Sequence, residues 1–328
     1  MIKKILFINF GGIGDEILFL PSILSVKKQF PDSEITLALE ERSKQVVGLT
    51  NVINKTLFAN IKNKSKILEL CKLLFKVWLG KYDMVVSSGS NKCISIFLFM
   101  TFIKKRYGYD TGFLSRLLLT KAVGLNKNQY AVNMYHDLVT PITDIKTELP
   151  EIICERKPVR ENTILVHPGV SKVSIEKGMI KTISPKEWAK VIEGLYNSGR
   201  KVLLTGGPDD RDCIDGIVKE VSPEKFENLY GTTKNLKDLA ELITSAEKFL
   251  CSDSAPLHIA VGLGVKTYVI FGPTDDKKLI PQNEKVIPIK ANCDCLLWPC
   301  LWEKRQTTCE KLDCLKIPTE KIVKTILS

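Results

Sequence analysis

Four short stretches of this chain place polar side chains where an α/β protein binds ligands. In the first, FGGIGDEILFLP, glycines between a strand candidate and a helical period let the backbone turn tightly. They leave room for a substrate against the main chain, beside Gly12 and Gly14. The spacing is not GxGxxG, so a dinucleotide is a poor fit. Asp15 stands at the mouth of this turn, where an aspartate serves either as a helix cap or as a base. The second stretch, CSDSAPLH, joins an apolar strand to a helix whose free N–H groups and positive dipole end suit a diphosphate. Asp253, Ser254 and Ala255 lie at that junction. The third and fourth, GGPDD with Gly207, Asp209 and Asp210, and GPTD with Gly272 and Thr274, end neighbouring strands. These turns either converge on one ligand or act only as caps and tight turns. Lys181, in a polar stretch before a helix, can reach a phosphate as a point charge or stay solvated.

The remaining chemistry-bearing residues are less directed. His136, His167 and His258 match no HExxH pattern and read as structural hydrogen-bonders rather than general bases. Cys293, Cys295, Cys300, Cys309 and Cys314 follow C-x-C-x4-C-x8-C-x4-C. In a chain whose start lacks the h-region of a signal peptide, clustered thiols suggest a closed structural zinc or iron site, against a thiol-rich loop.

The elements that must position these residues alternate. Strands are expected at 4–10, 35–39, 84–87, 163–167, 201–205, 248–251 and 267–271. Helices are expected at 15–30, 185–196, 235–244 and 255–261. Apolar runs alternating with helical periods imply parallel sheets wrapped by helices, so the fold class is α/β. The pattern restarts after a Pro- and charge-rich link at 148–160, which predicts two Rossmann-like domains, 1–155 and 156–328, facing across a cleft.

Length and composition agree. The chain has 328 residues, 44% hydrophobic and 26% charged, too apolar for a disordered protein. Its longest apolar run, CISIFLFMTFI, reaches about half a membrane span. A cytoplasmic globular protein is expected. Residues 1–160 hold 24 Lys and Arg against 14 Asp and Glu, whereas residues 161–328 hold 24 against 23. A basic first half implies an acidic partner. No recognised nucleic-acid module accompanies it, so nucleic acid is not expected.

Taken in order, GGIGDEILFLP, the HPG at 167–169 with the KTISP that follows, SDSAPLHIAVGLGV and FGPTDD resemble glycosyltransferase family nine, the ADP-heptose:lipopolysaccharide heptosyltransferases and their relatives. The resemblance spans essentially the whole chain. It implies a GT-B fold, an acceptor held by the first domain, a nucleotide sugar held by the second, and inverting transfer without a catalytic metal. It implies that the last helix, about 319–327, packs back on the first domain. Asp15 takes the position of the catalytic base, Lys181 that of the lysine on the donor diphosphate, and Asp253 that of the donor-loop aspartate. Asp209 or Asp210 is then the carboxylate for the ribose, and His258, Ser254, Ala255, Gly207, Gly272 and Thr274 complete the donor set. The acceptor is an anionic lipopolysaccharide inner core at the cytoplasmic membrane face, met by Gly12, Gly14, Lys104, Lys105, Arg106, Arg116 and Lys121. Two departures stand out. Ala255 replaces the usual glycine of the donor loop, and Ile183 stands where an aromatic commonly follows the donor lysine. Another sugar nucleotide, a protein acceptor of the autotransporter type (where relatives carry cysteine-bound iron) and a non-catalytic binding protein are the alternatives.

Overall fold

The stretch KILFI is a strand because Ile5, Leu6, Phe7 and Ile8 are all apolar and all buried, as a central strand covered on both faces requires. A computed structural model describes residues 2–62 and 65–328. The chain divides into two units, Met1–Ile153 and Cys154–Ser328.

The first unit is a parallel sheet of β1 (Lys4–Ile8), β2 (Glu34–Leu39), β3 (Lys55–Phe58), β4 (Met84–Ser87), β5 (Lys105–Tyr109) and β6 (Lys121–Val123), ordered β3-β2-β1-β4-β5-β6. Its helices are α1 (Ile13–Gln29), α2 (Lys66–Gly80), α3 (Cys93–Met100), α4 (Phe113–Leu118) and α5 (Ala131–Asp137). Alternate residues of β1 serve opposite faces. Phe7 meets Phe19 of α1, which in turn meets Tyr135 of α5, with ring centres 5.9 and 5.2 Å apart. Leu6 and Ile8 pack instead with Leu73, Leu74 and Val77 of α2 and Phe97 and Leu98 of α3.

The second unit repeats the plan. It comprises β7 (Arg160–His167), β8 (Lys201–Leu204), β9 (Glu227–Asn228), β10 (Ala246–Ser252), β11 (Lys266–Phe271) and β12 (Val286–Lys290), ordered β12-β11-β10-β7-β8-β9. Seven helices follow in chain order: α6 (Lys172–Glu176), α7 (Pro185–Asn197), α8 (Arg211–Val218), α9 (Leu236–Thr244), α10 (Ala255–Leu263), α11 (Asp276–Leu279) and α12 (Thr319–Leu327). Ser184 caps α7 in a reciprocal capping box with Glu187, and Trp188 on its inner face is fully buried. The buried residues of α12, Ile322 and Ile326, belong to the second unit's core around Trp188, and Lys248 Nζ donates to the Ile326 carbonyl.

Each sheet reverses strand order once, between β1 and β4 and between β7 and β10. Crevices outside the carboxyl ends of strands at such points are where open α/β sheets take ligands.

Candidate active site

Asp15 sits at the first reversal, on the opening turn of α1. Its Oδ2 accepts the Gly12 N–H at 2.8 Å, and the side chain remains exposed. The cap therefore occupies one oxygen of an accessible carboxylate. A β-carbon on Gly11 would lie 2.3 Å from the Asp15 β-carbon, so the turn closes this tightly only with glycine there. Asn9 ties the turn to β4: its Oδ1 accepts from the Ser88 hydroxyl at 2.6 Å and its Nδ2 donates to the Asp15 carbonyl at 3.4 Å. Tyr135 faces the same carboxylate from α5, and burial, with Asp15's charge adding to it, raises its phenol above the usual range.

Glu16, beside Asp15, lies in the interior. It is fully buried, with the Gly11 backbone and the Asn9 side chain as its polar neighbours. Burial first, then the charges of Asp15 and Glu40, push its carboxyl well above the ordinary carboxylate value. A group with a raised folded-state pKa stabilises the fold below its unfolded value and loses that contribution as pH rises towards the folded one. Stability should thus fall with pH above the ordinary carboxylate range, at up to about 1.4 kcal/mol per pH unit within that window. Glu16→Gln should flatten this slope and exceed wild type in urea-unfolding stability at pH 8. Equal slopes for the two proteins would refute the assignment.

At the second reversal, Lys181 and Asp253 meet although they are 72 residues apart. Lys181 Nζ donates to the Asp253 carbonyl at 2.7 Å and lies 3.3 Å from Asp253 Oδ2. Thr274 donates its hydroxyl to the same Oδ2 at 2.8 Å. Both members of the ion pair are buried, so the hydroxyl and the lysine jointly satisfy a carboxylate that would be costly alone. Ser254 follows as the N-cap of α10, and its side chain makes no capping bond. Behind them Ser252 and Thr182 both donate to the Pro168 carbonyl at 2.7 Å, fixing the backbone after β7.

The turn after β8 separates the two ribose candidates. Asp210 is buried, accepts the Gly207 N–H at 2.8 Å and lies 3.4 Å from His167 Nε2. A β-carbon on Gly169 would fall 1.8 Å from Asp210 Oδ1, so the HPG glycine makes room for this carboxylate. Asp209 is exposed and accepts the Lys172 N–H at a long 3.4 Å. His258 is buried within α10.

Comparison with known proteins follows from this geometry. The model of glycosyltransferase family 9 (heptosyltransferase) matches residues 71–307. The chain belongs to glycosyltransferase family 9. It is 27% identical over 297 residues to lipopolysaccharide heptosyltransferase 3 of Escherichia coli, covering 85% of this chain and 86% of that one. It is 23% identical to lipooligosaccharide heptosyltransferase 2 of Campylobacter jejuni, covering 96% and 95%. The solved E. coli ADP-heptose lps heptosyltransferase II superposes with a TM-score of 0.75 at 18% identity, covering 99% and 97%. The fold is GT-B and the protein is a glycosyltransferase.

Family 9 membership sharpens what the structure does not bring together. Lys105 and Lys121 open β5 and β6, and Lys104 precedes β5, at the amino ends of strands parallel to β1. They therefore lie at the edge of the sheet opposite Asp15. Arg106 is spent on structure, donating to the carbonyls of Leu118 and Ile103. Arg116 pairs with Asp110 at 2.7 Å, at the carboxyl end of β5.

The cysteine expectation is corrected. Among the described residues no group of three or more His, Cys, Asp or Glu side chains could hold a metal ion. All ten cysteines are free thiols. Burial first, then the nearby Cys293, Cys300 and Cys309, push the Cys314 thiol up to about 12. The segment has another task. Cys300 and Leu301 donate their N–H groups to the Pro273 carbonyl, and Trp298 Nε1 donates to Gly272 O at 2.7 Å. This strap holds the turn that carries Thr274.

The same strap brings Trp302 to 5.2 Å from Lys181 Nζ, ring centre to nitrogen, with Trp302 held at φ +66°. Ile183, by contrast, is core. An aromatic thus reaches the lysine from 121 positions downstream, which no local spacing announces. Glu16 and Asn9 were also missed. Their signal was a second carboxyl beside Asp15 and an amide directly after the first strand.

Proposed function

We propose that this family 9 glycosyltransferase moves a heptose from ADP-heptose to a hydroxyl of an anionic lipopolysaccharide inner-core acceptor, with inversion. What carries the reading is the placement of an accessible carboxylate, Asp15, at the switch point of one parallel sheet and of a buried cation, Lys181, at that of the other. The likeness to proteins named as heptosyltransferases supports the sugar and the acceptor class. The first unit takes the acceptor, beside Gly12 and Gly14, and the second takes the donor.

The acceptor O–H proton passes to Asp15 as the acceptor oxygen bonds to the anomeric carbon. The bond from that carbon to the diphosphate oxygen breaks, and its electron pair leaves with ADP. Charge on the leaving diphosphate is stabilised by Lys181 and by the N–H groups opening α10 beyond Ser254 and Ala255. Gly207, Gly272 and Thr274 shape the donor wall, His258 packs behind it, and of the two ribose candidates the exposed Asp209 rather than the buried Asp210 takes the ribose. Lys181 and backbone dipoles meet the developing charge, so the mechanism draws on no catalytic metal. Work at the cytoplasmic membrane face, with Arg116 beside the acceptor, completes the reading. Among the described residues no helix is long and apolar enough to cross a membrane.

Calorimetric titration with ADP-heptose and a panel of UDP- and GDP-sugars tests the donor. ADP-heptose should bind and the panel should not. Binding of a UDP-sugar in its place would overturn the heptose assignment while leaving the fold and the two switch-point sites intact.

A further inference from the structure

We propose that the outer surface of α2 and α3, with the loop that follows α3, is a docking face for an anionic lipid bilayer. This deepens the lipid-linked acceptor reading above by naming the surface that meets the lipid. A surface helix normally carries one apolar stripe and a polar face. Helix α2 buries Leu73, Leu74 and Val77, yet it also exposes Phe75, Trp78 and Leu79. Helix α3, CISIFLFM, has no charged residue at all. It buries Phe97 and Leu98 while Phe99 and Met100 are nearly half exposed.

These side chains form one connected surface. Trp78 stacks on Phe102 with ring centres 6.1 Å apart and donates its Nε1–H to the Met100 carbonyl at 2.9 Å. The Arg106 guanidinium lies 5.6 Å from the Phe99 ring centre and also bonds the Leu118 carbonyl, joining α4 to the patch. Contiguous apolar surface of this kind marks an interaction site on a water-exposed protein.

Phe102 supplies an independent sign. Its backbone has φ +57°, a left-handed conformation that a bulky side chain rarely adopts, and its side chain is 75% exposed. The Trp78 stack leaves most of the Phe102 ring in solvent, whereas asparagine would take that backbone readily.

The charge around the patch selects the occupant. Residues 65–127 hold 11 Lys and Arg against three acids. Glu69 and Asp110 are paired with Lys72 and Arg116, and Asp83 accepts the N–H groups of Lys3 and Lys4. Lys76, Lys81, Lys104, Lys105 and Lys121 are exposed. An apolar surface rimmed by lysines fits acyl chains below a layer of anionic headgroups, with aromatic rings at the boundary. Lys104, Lys105 and Lys121 stand at the sheet edge opposite Asp15, so they are placed for headgroups rather than for the reacting hydroxyl.

The test is co-sedimentation of the full chain with phosphatidylcholine vesicles, with and without phosphatidylglycerol. Wild type should pellet only with the anionic vesicles, and less at high salt. Phe102→Asn should lower the partition by about tenfold, with a thermal midpoint equal to or above wild type, and Phe75→Gln should lower it without the stability gain. Failure of wild type to pellet with anionic vesicles, or unaltered binding by both variants, would overturn the proposal. So would sedimentation velocity showing a wild-type oligomer that Phe102→Asn dissociates, because the patch would then be covered by a second copy. The vesicles carry no acceptor glycan and no donor, so this result stands apart from the sugar-nucleotide titration.

Discussion

Asp15→Asn should lower kcat for heptose transfer by about 10²–10⁴-fold, the usual contribution of a positioned general base, and leave the ADP-heptose dissociation constant unchanged. The substitution is close to isosteric. An amide oxygen can still accept the Gly12 N–H that the carboxylate accepts at 2.8 Å, so the turn and the start of α1 should persist. What disappears is the capacity to take a proton. Initial rates on a deacylated inner-core acceptor, with calorimetry of the donor, separate the two roles. If kcat fell by less than about threefold, Asp15 would be only the helix cap that its geometry also allows.

Lys181→Met should lower kcat/KM for the donor by about 10²–10³-fold, the scale of losing one stabiliser of leaving-group charge. The same change leaves Asp253 buried with its Thr274 hydrogen bond but without its cation, which costs about 3–5 kcal/mol of stability. Activity and folding are therefore confounded in the single variant. Adding Asp253→Asn removes the uncompensated charge. The double variant should recover most of the lost thermal stability and none of the lost donor affinity. Recovery of both would mean that Lys181 serves the fold of the β7–β10 junction and not the diphosphate.

Strand positions were legible where a run of buried apolar residues met a turn. Met84–Ser87 was read with its observed bounds, and β1, β2, β7, β8, β10 and β11 to within a few residues. The strands that escaped lie away from the sheet centres. β5, KRYGY, opens on two cations and contains a glycine, and β9 is two residues long, so neither carries a period that a strand can be recognised by. The parallel order of both sheets was implied by the alternation of strand and helix, because a crossover helix brings the next strand back in the same direction.

The site divides along the same line. Asp15 and Ser254 were visible because each lies on a single strand–turn–helix unit, whose geometry is local. Lys181 could be nominated but not distinguished from 47 other basic residues until its contact with Asp253 was seen. Lys104, Lys105 and Lys121 mislead for a related reason: sequence counts their charge but not which end of a strand they occupy.

The glycine turns, the helix caps and the alternating apolar runs already specified two α/β halves with ligands at strand ends, since each depends only on residues a few positions apart. Tertiary structure alone decided that Glu16 is buried beside an exposed Asp15, that Trp302 reaches Lys181 through a cysteine-bearing strap, and that Phe102 meets Trp78 on an open surface. Each of these turns on desolvation or on contact between distant segments. Those quantities come into being only when the sheets order their strands and the helices choose a face.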